Sequence, residues 1–337
     1  MNPELKQSVM GKVQGALMLN IAYIGITNGL LDKLAELNGA SAVELAKAAG
    51  VDEAYTVRWC DSAYAFELLD ETNGKFVLTE TGNAFRPDVT DSLMPFAVHS
   101  VLSTHMADRA AELMASGERP GEAVLGERKM VLPWFGPMLA SMFGPFLEQH
   151  ILPNVPAYKD VDGRQGLAVD LGCGNGWYLR KMAQKFPHMR CIGLDGFDEN
   201  INQATAAAKK DGVADRVSFQ VGDIHKFNIN EPVDLIAMNR ALHHVWDQKE
   251  NVFRILSEHL RPGGYAVIWE PNWPADRSAL RDPGRRAMAF QNLGEHIQGN
   301  HFLNPPEVVA AFESVGMEAE VFLFGDDKEM VIVGKKV

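Results

Sequence analysis

Cysteine is scarce in this 337-residue chain, which has three. Cys60, Cys173 and Cys191 stand far apart, and no two of them show the C-x-x-C spacing of a metal or redox site. An odd number of dispersed thiols excludes a disulfide framework and fits a reducing, cytoplasmic setting. Positive charge is short as well: 32 Lys and Arg face 44 Asp and Glu, a net charge of −12. Nucleic acid needs a basic footprint, so it is not an expected partner, and neither is an anionic membrane. Long apolar runs are missing, since no segment reads as the ~18 apolar residues that span a bilayer. The start, MNPELKQSVMGKVQ, lacks the basic, apolar and small-residue order of a secretory signal. No repeat or low-complexity tract interrupts the chain. What remains is 46% hydrophobic and 23% charged, a globular composition long enough for two domains.

The richest stretch is GLAVDLGCGNG, Gly166 to Gly176. An apolar strand ends on Asp170, and Gly172, Gly174 and Gly176 follow at alternate positions before the helical pattern WYLRKMAQKF. Ligands of open α/β sheets bind at such strand ends, where glycine lets the backbone approach closely. A dinucleotide site asks for G-x-G-x-x-G facing a pyrophosphate. Here the spacing is G-x-G-x-G, and Asp170 would repel that pyrophosphate. A ligand with a cationic amino group and no phosphate suits it better, and S-adenosylmethionine is such a ligand. MRCIGLD then ends on Asp195, 19 residues past Gly176, where an acid can accept ribose hydroxyls. RVSFQVGDI ends on Asp223, with Ile224 next to pack on a purine face. VDLIAMN ends on Asn239, and LRPGGYAVIWEP gives a turn and a fifth strand ending at Glu270.

This order of strand ends resembles the class I S-adenosylmethionine-dependent methyltransferases from about Gly166 to Val337. The resemblance implies a Rossmann-like, doubly wound α/β sheet. It also implies a cofactor site at Asp170, Gly172, Gly174, Asp195, Asp223, Ile224 and Asn239.

Residues 1–90 read differently. An apolar helical stretch, SVMGKVQGALMLNIAYIGITNGLLDKLAEL, precedes a capping box at Ser41 and Glu44. A further helix and a hairpin with Asn73-Gly74 at its tip complete a winged-helix pattern. The would-be recognition helix carries Glu53, Asp61 and Glu67 against the single Arg58, the wrong sign for phosphates. A dimerisation domain is the better reading, with the apolar first helix buried against a second copy. This layout resembles small-molecule O-methyltransferases. Residues 91–160 then read as a helical connector, whose Trp134, Phe135, Met138 and Met142 would roof a substrate pocket in that family. Residues 161–337 form the cofactor-binding catalytic domain.

The segment NRALHHVWD follows the fourth strand. By resemblance to the L-H-D-W segment of O-methyltransferases, His243 is a general base, a role suited to an imidazole. Glu270 could steer it. The later His296 in FQNLGEHIQGNHF raises a second possibility: His243, His244 and His296 converging on one first-row divalent ion, Zn or Fe. That set resembles the metal-dependent α-keto-acid C-methyltransferases of peptide antibiotic pathways, although His244 stands where their pattern has Asp. The resemblance implies C3-methylation of a 2-oxo acid, with Arg240 or Arg128 on the substrate carboxylate. The alternatives are metal-free O-methylation with His243 as base, and a ligand-binding regulator without turnover.

Overall fold

The structure is a computed structural model and describes residues 2–337. It divides into two compact units. One runs to Asp108 and takes in Arg128–Ser141, and the other comprises Arg109–Glu127 and Met142–Val337. The expected connector of residues 91–160 is therefore not a body of its own. Its two long helices, Met94–Leu113 and Leu132–Phe146, each begin in the first unit and end in the second.

In the N-terminal unit, helices Pro3–Thr27, Leu30–Leu37, Ala42–Ala49 and Glu53–Ala65 precede strands β1 (Leu69–Thr72) and β2 (Lys75–Leu78). The local signals act as expected. Ser41 and Glu44 form a reciprocal capping box, and Gly50 closes that helix in the left-handed region. Asn73 and Gly74, at φ 54° and 77°, make the two-residue turn that pairs β1 with β2. Leu30, Leu31, Leu34, Leu45, Trp59 and Phe85 fill the core. Met138 is buried in this same core, with Trp134 packed on it, while Phe135 and Met142 are exposed. The Met-rich stripe is thus partly core packing of the N-terminal unit. Helix Pro3–Thr27 also corrects one expectation, because by length and composition it is apolar enough to cross a membrane.

The second unit is built on a seven-stranded sheet. Its strands are β3 (Leu167–Leu171), β4 (Arg190–Asp195), β5 (Val217–Val221), β6 (Val233–Asn239), β7 (Leu260–Pro271), β8 (Met317–Phe324) and β9 (Glu329–Lys336). The spatial order is β5-β4-β3-β6-β7-β9-β8. β3 to β7 run parallel, and β9 lies antiparallel between β7 and β8. β3 and β6 are almost wholly buried, as strands covered on both faces must be. The chain steps outward from β3 to β5 and then crosses back to β6. The carboxyl ends of β3 and β6 therefore flank the switch point where such sheets bind ligands. The three cysteines are buried and unpaired.

Gly176 caps helix Trp177–Lys185 at φ 71°, and a Cβ there would lie 2.4 Å from the Phe219 ring. Gly174, at φ 53°, has open space where its Cβ would be. Gly174→Ala should therefore carry only the left-handed penalty of roughly 1–2 kcal/mol. Gly176→Ala should add an overpacking cost of about 1–3 kcal/mol. Denaturant titration of the two ligand-free variants measures the difference, and equal midpoints would contradict it.

Candidate functional site

Two groups of side chains meet the strand ends. The first surrounds the glycine loop. Gly172 and Cys173 donate backbone N–H bonds to the Leu194 carbonyl at 2.8 and 2.9 Å, tying the loop to β4. Gly174 N–H donates to Asp195 Oδ2 at 2.9 Å, and Phe197 N–H and Asn200 Nδ2 donate to Asp195 Oδ1 at 3.0 and 2.9 Å. A carboxylate offers about four lone-pair directions. The structure thus leaves Asp195 room for one further strong donor rather than two. A Cβ on Gly172 would come 2.7 Å from Ala241 Cβ and 3.6 Å from Ile224 Cδ1, so Ile224 lies against the loop. Asp223 is exposed at the end of β5, accepting from His225 N–H and paired with Lys226. Those local donors hold its carboxyl below the usual range.

Asp170 is the anomaly. It is fully buried, and neither carboxylate oxygen has a hydrogen-bond partner. Burial, reinforced by the Asp195 charge, pushes its pKa well above the ordinary value. Asn239 Oδ1 and Asn175 Oδ1 are likewise buried without a partner. Native structures rarely leave such acceptors unmet. These three buried acceptors are left without donors.

The second group centres on His243, in the 3₁₀ turn Leu242–Gln248. Glu270, at the end of β7 and fully buried, accepts from Leu242 N–H at 2.8 Å and His243 N–H at 3.3 Å. Its other oxygen lies 2.7 Å from His243 Nδ1. Burial raises the Glu270 pKa, but His243, Arg240 and His244 outweigh it and bring the net value below the ordinary one. An ionised carboxylate only accepts, so His243 Nδ1 carries a proton and donates it to Glu270. The His244 ring stacks 4.1 Å from that of His243, and its Nδ1 lies 3.1 Å from Glu122 Oε1 and 2.9 Å from Asn300 Nδ2. Burial opposes protonation of His244, yet Glu122, Glu295 and Glu270 together raise its pKa.

The other candidates lie elsewhere. His296 is exposed, on helix Pro283–Ile297 rather than in a loop. Its neighbour Glu295 is buried, with Oε2 3.7 Å from His243 Nε2. Successive helical residues point about 100° apart, so only one of the pair can face the histidines. His243, His244 and Glu295 bring ligand atoms within 4.8 Å of one another. Arg240 is committed to packing: it bonds both Glu329 oxygens at 2.6 and 2.5 Å and lies 3.7 Å over the Phe143 ring. Burial raises the Glu329 pKa against that pull. Arg128 is exposed and belongs to the N-terminal unit. Glu295, Glu122 and Asn300 escaped sequence reasoning. Only Glu295, one residue from the candidate histidine, carried any signal.

A family described as a methyltransferase domain matches residues 168–264. The trans-aconitate 2-methyltransferase of Deinococcus radiodurans is 35% identical over 123 residues, 36% of this chain and 42% of that one. The chain spans only 35–42% of the length of such curated relatives. An O-methyltransferase family protein from Burkholderia thailandensis is similar at TM-score 0.69 and 16% identity, over 98% of this chain and 96% of that one. Human N-acetylserotonin methyltransferase, solved with S-adenosylmethionine, is similar at TM-score 0.69 and 16% identity, over 100% and 99% of the two chains. Residues 168–264 thus match a methyltransferase domain, and the chain has the fold of the solved methyltransferases it resembles.

Proposed function

We propose that this protein methylates a nucleophilic atom of a small molecule, with His243 as the general base. The observation that carries this reading is the buried Glu270–His243 pair, with its 2.7 Å bond to Nδ1. That bond holds the tautomer whose Nε2 can take a proton, the logic of a carboxylate-oriented base. When bound, S-adenosylmethionine supplies an electrophilic methyl group on a cationic sulfur. Asp170, Asp195, Asp223, Ile224 and Asn239 would hold it, with Gly172 and Gly174 giving its approach. Glu270 fixes the imidazole and stabilises the imidazolium that forms. O-methylation of a phenol or enol fits this base directly.

A second reading is favoured by the separate cluster of His243, His244 and Glu295. Two imidazoles and a carboxylate suit a first-row divalent ion, and Glu270 would then be the outer carboxylate that such a histidine commonly bonds. An ion there would act as a Lewis acid on a keto oxygen, supporting C3-methylation of a 2-oxo acid. With Arg240 tied to Glu329, that ion would also be the nearest positive charge available for the substrate carboxylate. His296 drops out as a ligand in favour of Glu295.

We propose further that the protein is a homodimer. Leu5, Val9, Val13 and Leu17 recur every four residues on helix Pro3–Thr27, each 48–61% exposed. Repetition at four lays an apolar stripe along one helix face, and contiguous exposed apolar surface marks an interaction site. A second copy with the same stripe would cover it.

His243→Ala should lower kcat by about 10²–10⁴-fold and leave S-adenosylmethionine affinity unchanged. On wild type, EDTA should be without effect under the base reading and abolish turnover under the metal reading. Turnover that survives both would eliminate both. For the dimer, light scattering at micromolar concentration should give twice the chain mass, and Val13→Glu with Leu17→Glu should halve it. A monomeric wild type would refute the interface.

A further inference from the structure

Asp170 and Asp195 stand on neighbouring parallel strands, β3 and β4, and the chain treats their carboxyls in opposite ways. Asp195 accepts three protein donors, which favours its ionised form. Asp170 is fully buried, and no protein group donates to either of its oxygens. In such a place the charged carboxylate is far more costly than the neutral acid.

The groups that face Asp170 come from every element packed against it. β4 contributes Asp195 and Cys191, the glycine loop contributes Cys173, and Tyr158 and Tyr178 come from helices Pro156–Gly163 and Trp177–Lys185. The two tyrosine hydroxyls bond each other at 2.8 Å rather than the carboxyl. From β6, the neighbour in register is Ala237, and Asn239 at the strand end is uncharged. None of these groups carries positive charge. Among the described residues, no Lys, Arg or His side chain is paired with Asp170. Burial first, and then the Asp195 charge, push the Asp170 carboxyl well above its ordinary range.

We propose that Asp170 is a protonated carboxylic acid in the free protein and releases that proton when the ammonium group of S-adenosylmethionine binds beside it. This rests on the reading of Asp170 as part of the cofactor site. The Asp170 O–H bond breaks, its electron pair stays on oxygen, and the proton passes to solvent as the ammonium charge takes its place. Cofactor binding is thereby a pH-sensitive step. Affinity strengthens as pH rises, about tenfold per unit when one proton leaves, and levels off once the free carboxyl has itself ionised. The ligand-free protein shows the converse. A carboxyl whose folded pKa lies above its unfolded value stabilises fully below about pH 4, and that stability is lost as pH rises through the folded value. A neutral Asn in its place escapes the loss.

The test titrates S-adenosylmethionine into the full-length protein by calorimetry, in cacodylate and in Bis-Tris at about pH 6. The two buffers differ in heat of ionisation, so the difference counts protons. Wild type should release about 0.5–1 proton per cofactor, and its affinity should rise about threefold or more between pH 5.5 and pH 7.5. Asp170→Asn should release fewer than about 0.2, with affinity flat within about twofold over that range. Without ligand, the denaturant midpoint of Asp170→Asn should gain on that of wild type over the same rise in pH. Binding by wild type with no proton released, release that persists in Asp170→Asn, or a midpoint difference that is flat or falls with pH would each overturn the proposal. If the variant does not bind, the wild-type proton count and the midpoints decide. Failure of wild type to bind S-adenosylmethionine at all shows separately, and removes the cofactor reading and this proposal together.

Discussion

The carboxylate of Glu270 organises the catalytic end of the sheet. A fully buried negative charge is tolerated only where donors surround it, and here all three come from two residues. The backbone N–H groups of Leu242 and His243 serve one oxygen, and the His243 ring serves the other. Meeting that demand pins the 3₁₀ turn after β6 to the end of β7. It thereby sets which imidazole nitrogen faces outward. In the proposed function the base is thus a by-product of satisfying a buried charge, and its orientation needs no further support from loops.

Asp170 is the opposite case. Its two oxygens are buried beside the Asp195 charge and find no donor. Left alone, such a group is held neutral by its surroundings. A cationic ligand would remove the conflict, which is the reason the proposed reading puts the cationic amino group of the cofactor at this strand end. Between Asp170 and Glu270 the sheet edge carries two different electrostatic problems. One is solved within the chain, and the other is open to a cofactor.

What the sequence could reveal follows from what is local. The loop from Gly172 to Gly176, Asp170 and Asp195 in their strands and the Asn73-Gly74 turn are each specified within a few residues and stand where expected, while Asp223 falls two residues past β5 at the cap of the next turn. The choice between Glu295 and His296 was not legible, because it turns on the rotation of one helix about its axis. Arg240 looked free in the sequence, since its partner Glu329 lies 89 residues away on β9. Glu122 reaches His244 from a segment with no periodic pattern. The first helix misled in another way. Its scattered Gln, Lys and Gly residues break up the apolar run in the sequence, and yet they leave the four-residue stripe intact on the helix.

The most direct measurement is calorimetric titration of S-adenosylmethionine into wild type and Asp195→Ala. Asp195 braces Gly174, and in the proposed site its remaining acceptor direction would take a ribose hydroxyl. The variant is expected to bind about 1.5–3 kcal/mol more weakly, the worth of a hydrogen bond to a charged group, while NADH binds to neither protein. Equal affinities in the two proteins, or tight NADH binding to wild type, would contradict the cofactor site at these strand ends.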